Sequence, residues 1–283
     1  MSGSSKSLLK LLVATGLTAG VLSWVPSCRS FTVDNNESIF VRQIQLPISP
    51  TCLTTPDPAA VAVFRGVLDV ALSSRYQIAA LVGNQMVARG DFKQTRAEPN
   101  RVLFKGADIH LFDEKQQEVK GSPYSVLANG EVDPQTNGDA MYGLASLDLL
   151  PPVIGSKIHD ALVAAGGATV KTYEAHFKIY GSTLGGTDVT TGEYAFAVDT
   201  CYGCTVIYPS DANEPSLAQP NCLKVQAGGI VPVVGTQLPA CIPGQDGVTD
   251  CRTCQGNPVC APCRKDADCA GIGTARCAAG HCI

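Results

Sequence analysis

The stretch TYEAHFKIY, residues 172–180, alternates apolar and polar positions: Tyr173, Ala175, Phe177 and Ile179 fall on one side, Glu174, His176 and Lys178 on the other. A period of two with one polar face belongs to a β-strand that packs one side and wets the other. The same signal recurs along residues 38–208. SIFVRQIQL (38–46) is rich in β-branched residues, and RYQIAALVGNQM (75–86) continues the pattern. AVAVFRGVLDVAL (60–72) sets Phe64, Leu68, Val70 and Leu72 against Arg65 and Asp69. RVLFKGADIHLF (101–112) sets Leu103, Ala107, Ile109 and Leu111 against Asp108 and His110. EYAFAV (193–198) puts Tyr194, Phe196 and Val198 inward. Turn signals separate the runs: AEPN (97–100), Asn137-Gly138 inside DPQTNGDA (133–140), and LGGTDVTTG (184–192). Only 16% of residues are charged, and 28 Gly and 18 Pro suit short strands joined by turns. The chain therefore reads as mainly β, with an antiparallel β-sandwich (Ig-like or related) over residues 28–208.

One segment breaks the alternation. In PPVIGSKIHDALVAAGG (151–167), Ile154, Ile158, Leu162 and Ala165 share one helical face, and Lys157 and Asp160 lie off it. Pro152 suits the first turn and Gly166 the stop, which places a helix over about 152–165. Such a helix plugs one end of a sandwich or covers a sheet.

The cysteines divide the chain. Only Cys28 and Cys52 precede residue 200; Cys201, Cys204, Cys222, Cys241, Cys251, Cys254, Cys260, Cys263, Cys269, Cys277 and Cys282 follow. Residues 209–262 are Pro- and Gly-rich with little periodicity, so disulfides must replace a core of their own. Residues 263–283 carry the spacing C-x5-C-x7-C-x4-C and read as a small two-bridge module. Cys52 has no near neighbour in sequence; the expectation is a bridge from the start of the β domain to the Cys201–Cys241 region.

Residues 1–27 read as an export signal. Lys6 and Lys10 supply positive charge, and Leu11 to Val25 is an uncharged run shorter than the ~20 residues a spanning helix needs. Val25 and Ser27 then precede Cys28. Thirteen cysteines is an odd number, and a modified Cys28 leaves twelve to pair. The removed segment holds two lysines and no acid, so the mature chain is more acidic than the net −4 of the whole. That balance argues against a nucleic-acid surface, which needs clustered positive charge.

The motifs that carry chemistry are few. Cys201/Cys204, Cys251/Cys254 and Cys260/Cys263 are C-x-x-C pairs. A redox pair needs a low-pKa thiol at a helix N-terminus, but CYGCTVIYP continues as a β-branched run. Zinc on Cys251, Cys254, Cys260 and Cys263 competes with oxidation in the same compartment. DPQTNGD resembles part of a calcium loop through Asp133, Asn137, Gly138 and Asp139, but Gln135 and Leu144 occupy ligand positions, and a turn fits better. His110, His159, His176 and His281 are scattered; His110 and His176 lie on polar strand faces and read as surface residues unless they meet across neighbouring strands. No metalloprotease, nucleophile-elbow, phosphate-loop or dinucleotide motif occurs. The reading assigns no catalytic residue, metal or cofactor.

The Cys28 signal, CYGCTVIYP, PGQDGVTDCRTC and the cysteine tail 263–283 together resemble exported lipoproteins of social and predatory bacteria. The lipoprotein signal has an aliphatic residue three before the cysteine and a small one just before it; Val25 and Ser27 match, and Pro26 departs from the pattern. The resemblance implies lipidation at Cys28 and a membrane partner reached through that lipid. Arg29 stands where an inner-membrane retention signal would carry Asp, so it implies the outer membrane. The expected role is non-enzymatic: a structural or binding protein of the envelope, with a protein or glycan partner. The alternatives are zinc or thiol chemistry in the cysteine-rich part, and a hydrolase on the β domain.

Overall fold

The computed structural model describes residues 37–48, 50–90, 98–167, 169–207, 216, 223–232, 241–250, 263, 265–270, 277–278 and 281–282. The export signal, Cys28, Cys222, Cys251, Cys254 and Cys260 lie outside the described residues. The chain divides into residues 1–35 and 36–283, and the described residues belong to the second unit. Among them, no helix is long and apolar enough to cross a membrane.

The strands are β1 (Ile39–Gln45), β2 (Ala62–Val63), β3 (Arg65–Asp69), β4 (Tyr76–Asn84), β5 (Val102–Phe112), β6 (Tyr124–Asn129), β7 (Glu131–Val132), β8 (Met141–Leu150), β9 (Lys171–Thr183), β10 (Asp188–Thr190), β11 (Tyr194–Cys201), β12 (Val206–Ile207), β13 (Leu223–Gln226), β14 (Gly229–Pro232), β15 (Thr249–Asp250), β16 (Cys277–Ala278) and β17 (His281–Cys282). One α-helix, α1 (Pro152–Ala164), lies between β8 and β9. The main sheet has the order β2-β1-β4-β8-β6-β5-β9-β11-β3, with β10 on β9 and β7 on β5. Among the described residues the fold is thus mainly β and mostly antiparallel, with one α-helix and disulfide-paired cysteines, as the sequence predicts. The exceptions in the main sheet are small: β3 runs parallel to β11.

Two features turn this sheet around a single core. Strand β6 pairs with β5 through Tyr124–Leu127 and with β8 through Ala128 and Asn129, so it passes from one half of the sheet to the other. Strands β2 and β3 are separated only by Phe64, yet β2 pairs with β1 and β3 with β11. Phe64 sits at this crossover and is 80% exposed, which corrects its expected inward position. Both halves supply the core: Ile44, Ile78 and Leu149 from one, Ile109, Phe177 and Val198 from the other.

Strand β5 carries a second correction. The β5–β9 register shifts between Phe104 and Gly106, a bulge that adds a residue and reverses the side-chain phase. Val102 and Phe104 point inward before it; Ala107, Ile109 and Leu111 point inward after it. Leu103, placed inward by simple alternation, is exposed.

Helix α1 buries Ile154, Gly155, Ile158 and Leu162, the face that its spacing predicts. Ala165 is its C-cap and lies exposed, and Gly166, at φ 91°, ends it. At Gly155 there is no room for a side chain, because an added Cβ would collide with the Ser74 carbonyl oxygen that leads into β4. Gly155→Ala is therefore expected to destabilise the protein by about 1–3 kcal/mol through overpacking. In an open helix the same change stabilises by about 1 kcal/mol. Urea denaturation reads the sign directly, and a stabilised variant refutes the close contact.

Asn137 (φ 58°) and Gly138 (φ 91°) form the tight turn before β8, with the Asp139 amide donating to the Thr136 carbonyl at 3.2 Å. Asp133 is ion-paired to Arg101 at 2.6 Å. The segment is a hairpin turn, as its Asn-Gly pair predicts.

Candidate functional site

Two groups of chemically capable side chains stand out, and the register of the sheet explains both. The first lies at the ends of β3 and β11. In the parallel β3–β11 ladder Asp69 is the partner of Cys201. The chain then turns through Tyr202 and Gly203, and Cys204 closes back on Cys201 as a disulfide. Asp69, expected on a solvated face, is instead fully buried. Its Oδ1 accepts from the Gly203 amide at 2.7 Å and the Ala71 amide at 3.1 Å. Its Oδ2 accepts from the Thr205 amide at 2.9 Å and the Thr205 hydroxyl at 3.0 Å. Asp69, Cys201 and Cys204 form the one group among the described residues whose ligand atoms already lie within 4.8 Å of one another. The carboxylate is committed to four donors and the two sulfurs to each other. This is the chemistry of a staple: the buried charge is satisfied by the loop that it holds.

The same end of the sheet takes in residues 241–250, which follow the composition change at residue 208. The Asp69 amide donates to the Gly244 carbonyl at 2.7 Å, and the Val67 amide to Asp246 Oδ1 at 2.7 Å. The side chain of Gln245 accepts from the Gln77 amide at 3.0 Å and donates to the Gln77 carbonyl, as a strand partner would. Tyr76 Oη donates to Asp246 Oδ2 at 2.6 Å. Burial pushes the Asp246 carboxyl above the usual carboxylate range, against the opposing pull of its bonds from Tyr76, Val67 and Gln245. Burial likewise pushes the Tyr76 hydroxyl far up, with the Asp246 charge adding to it. The segment is tethered by a disulfide between Cys52 and Cys241, residues 189 apart in sequence. That bridge joins the region following β1 to the one expected from sequence.

Other cysteines also appear as structural links. Cys263 pairs with Cys277 within the C-terminal module, and Cys269 is disulfide-bonded too. Cys263 therefore supplies no thiolate to a zinc set with Cys251, Cys254 and Cys260. Cys282 lies in β17, paired with β16 at Cys277↔Cys282 in the backbone register.

The second group lies on the outer face of β5 and β9. His110 and His176 are direct cross-strand partners in the β5–β9 ladder. His110 Nδ1 contacts Glu118 Oε1 at 2.9 Å. His176 Nδ1 contacts Glu193 Oε1 at 3.0 Å, and its Nε2 contacts Glu174 Oε1 at 3.0 Å. The edge of Phe112 packs on His176 with ring centroids 5.2 Å apart. Glu118 also accepts from Ser122 Oγ at 2.9 Å; this bond and the His110 contact hold its carboxyl below the usual range. Glu174 is likewise lowered, first by its bond from Gln116 Nε2 at 3.1 Å and then by His176, against partial desolvation. The alternation placed both histidines on polar faces; their meeting is a matter of register, and Glu118 arrives on a hairpin after β5.

His159 sits apart on α1, with its ring 5.4 Å from that of Tyr202 and Nδ1 at 3.1 Å from Asp160. Comparisons with protein-family models, curated proteins and solved structures find no match to this chain.

Proposed function

We propose that this chain is an exported envelope protein, lipid-anchored through Cys28, with a structural or binding role and no catalytic one. The observation that carries the reading is the Cys52–Cys241 disulfide, together with Cys201–Cys204 and Cys263–Cys277. Such bridges form and persist outside the reducing cytosol. A compartment of that kind agrees with residues 1–27 read as an export signal and with a cysteine immediately after it. On this reading the acyl chains at Cys28 hold the protein at a membrane, with the outer membrane favoured by Arg29. The disulfide-tied β domain then presents its loops and outer sheet face to a protein or glycan of the envelope. Several acyl chains give stable anchoring where one is marginal.

The test is mass spectrometry of the mature N-terminus, on full-length protein recovered from membranes of the expressing cell. The expected result is a chain beginning at Cys28 with thioether-linked acyl groups. An unmodified Cys28, or a different first residue, overturns the anchor. Thiol titration of the denatured, unreduced protein decides between disulfides and zinc or thiol chemistry in the tail. Near-zero free thiol is expected, and a substantial thiol count favours the second reading.

A further inference from the structure

We propose that the outer face of β5 and β9 is a binding site for a single divalent transition-metal ion of the zinc type. Its ligands are His110 Nε2, His176 Nε2 and the Glu174 carboxylate. The inference stands independently of the anchor, since it rests on a face of the β domain.

Three observations converge on it. The first is placement. His110 and His176 are register partners on neighbouring antiparallel strands, where Cβ atoms of the same face stand roughly 4.5–5.5 Å apart. Glu174 precedes His176 by two residues on β9 and shares its face. Ala195, the β11 partner of His176, leaves that flank with only a methyl group.

The second is the orientation of the rings. Each imidazole has a carboxylate at Nδ1: Glu118 for His110 and Glu193 for His176. For His110 the carboxylate on Nδ1 holds the proton there and leaves the Nε2 lone pair for a metal. His176 has a carboxylate at each ring nitrogen, so its Nε2 becomes a ligand by giving up the proton it shares with Glu174. Ser122 fixes Glu118 in turn, and Phe112 braces the His176 ring. The outer partners of a metal site are thus already built.

The third is charge. Glu118, Glu174 and Glu193 gather around two histidines, and among the described residues none of the three is paired with Lys or Arg. A divalent cation neutralises this excess, and imidazole donors select zinc, nickel, cobalt or copper over magnesium and calcium.

Two of the three ligand atoms already stand at ligand spacing, and the set closes to within 4.8 Å only when His110 turns toward them. His176 Nε2 and Glu174 Oε1 are 3.0 Å apart. Two ligand atoms on one tetrahedral zinc, each about 2.0–2.1 Å from it, stand roughly 3.3 Å apart. The ion enters by displacing the proton of that hydrogen bond, which leaves to solvent, and rotation of the exposed His110 side chain supplies the third ligand. Three protein ligands leave a fourth position open to water or to a donor group from a partner.

The experiment is calorimetric titration of the full-length chain, disulfides intact and in detergent, with ZnCl2. Cobalt absorption serves as a second readout of nitrogen and oxygen ligation. One saturable equivalent is expected. His110→Ala, His176→Ala and Glu174→Gln should each weaken binding at least about tenfold, and Glu118→Gln about 10–100-fold through the ring that it orients. His159→Ala should bind as the unaltered protein does. Unchanged urea midpoints for the surface variants confirm that the fold is intact. No saturable zinc binding, or undiminished binding in the His110→Ala/His176→Ala double variant, overturns the site.

Discussion

Replacing Asp69 with alanine should lower the unfolding free energy by about 3–5 kcal/mol, the range for removing one partner of a buried, charge-assisted network. The carboxylate is fully buried and accepts from Ala71, Gly203 and Thr205 amides and the Thr205 hydroxyl. Alanine leaves four donors facing a void in the place where β3 ends. The Cys201–Cys204 disulfide restrains the loop whether or not the carboxylate is there, which limits how far its donors can move to new partners. Asp69→Asn keeps the shape and one acceptor oxygen but sets an amide N–H2 against backbone donors, so it should also destabilise, by less. Urea midpoints at neutral pH give the comparison. A loss below about 1 kcal/mol for the alanine variant would show that solvent reaches the site and that the network contributes only at the level of an ordinary exposed hydrogen bond.

The contrast between Asp69 and the rest of its strand shows where sequence reasoning succeeds here. Period-two alternation is a local property, and it locates β1, β4, β9 and β11 and the inward residues of β9. The spacing of Ile154, Ile158 and Leu162 similarly locates α1. Alternation fails where a long-range event intervenes. Phe64 is turned outward because the chain changes its pairing partner there, from β1 to β11. Leu103 is turned outward by a bulge whose one local signal is Gly106 inside a strand. Asp69 is polar and in phase with a solvated face, but loop 202–205 and Gly244 cover that end. The candidate metal site has the same origin. Its two histidines are separated by 66 residues in sequence, and only the β5–β9 register makes them neighbours. Glu118 comes from the connection after β5 and carries no periodic signal, while Glu193 stands on the polar phase of EYAFAV, just before β11, with nothing local to say that it faces His176.

The second large effect concerns the Cys52–Cys241 bridge, and its size follows from the chain it closes. A cross-link over 189 residues removes from the unfolded ensemble a loop-closure entropy equivalent to about 5 kcal/mol. The double variant Cys52→Ser/Cys241→Ser leaves no odd thiol and should lose about 3–5 kcal/mol. Its loss should also be localised. Residues 244–246 are docked on the sheet by Asp69–Gly244, Val67–Asp246, Gln77–Gln245 and Tyr76–Asp246 hydrogen bonds. Holding Asp246 in place carries a cost, because burial opposes its charge. Once the tether is cut, this segment should open before the sheet does, since local units open at free energies below the global one. Hydrogen exchange reports this at single amides. Val67, Asp69 and Gln77 donate to residues 244–246 and should exchange faster in the variant, while Tyr173 and Val198, which are partners within the β9–β11 ladder, stay protected. Uniformly faster exchange at all five would mean that the bridge acts only on the unfolded chain. Unchanged exchange together with an unchanged midpoint would show that the docked segment is held by its hydrogen bonds alone.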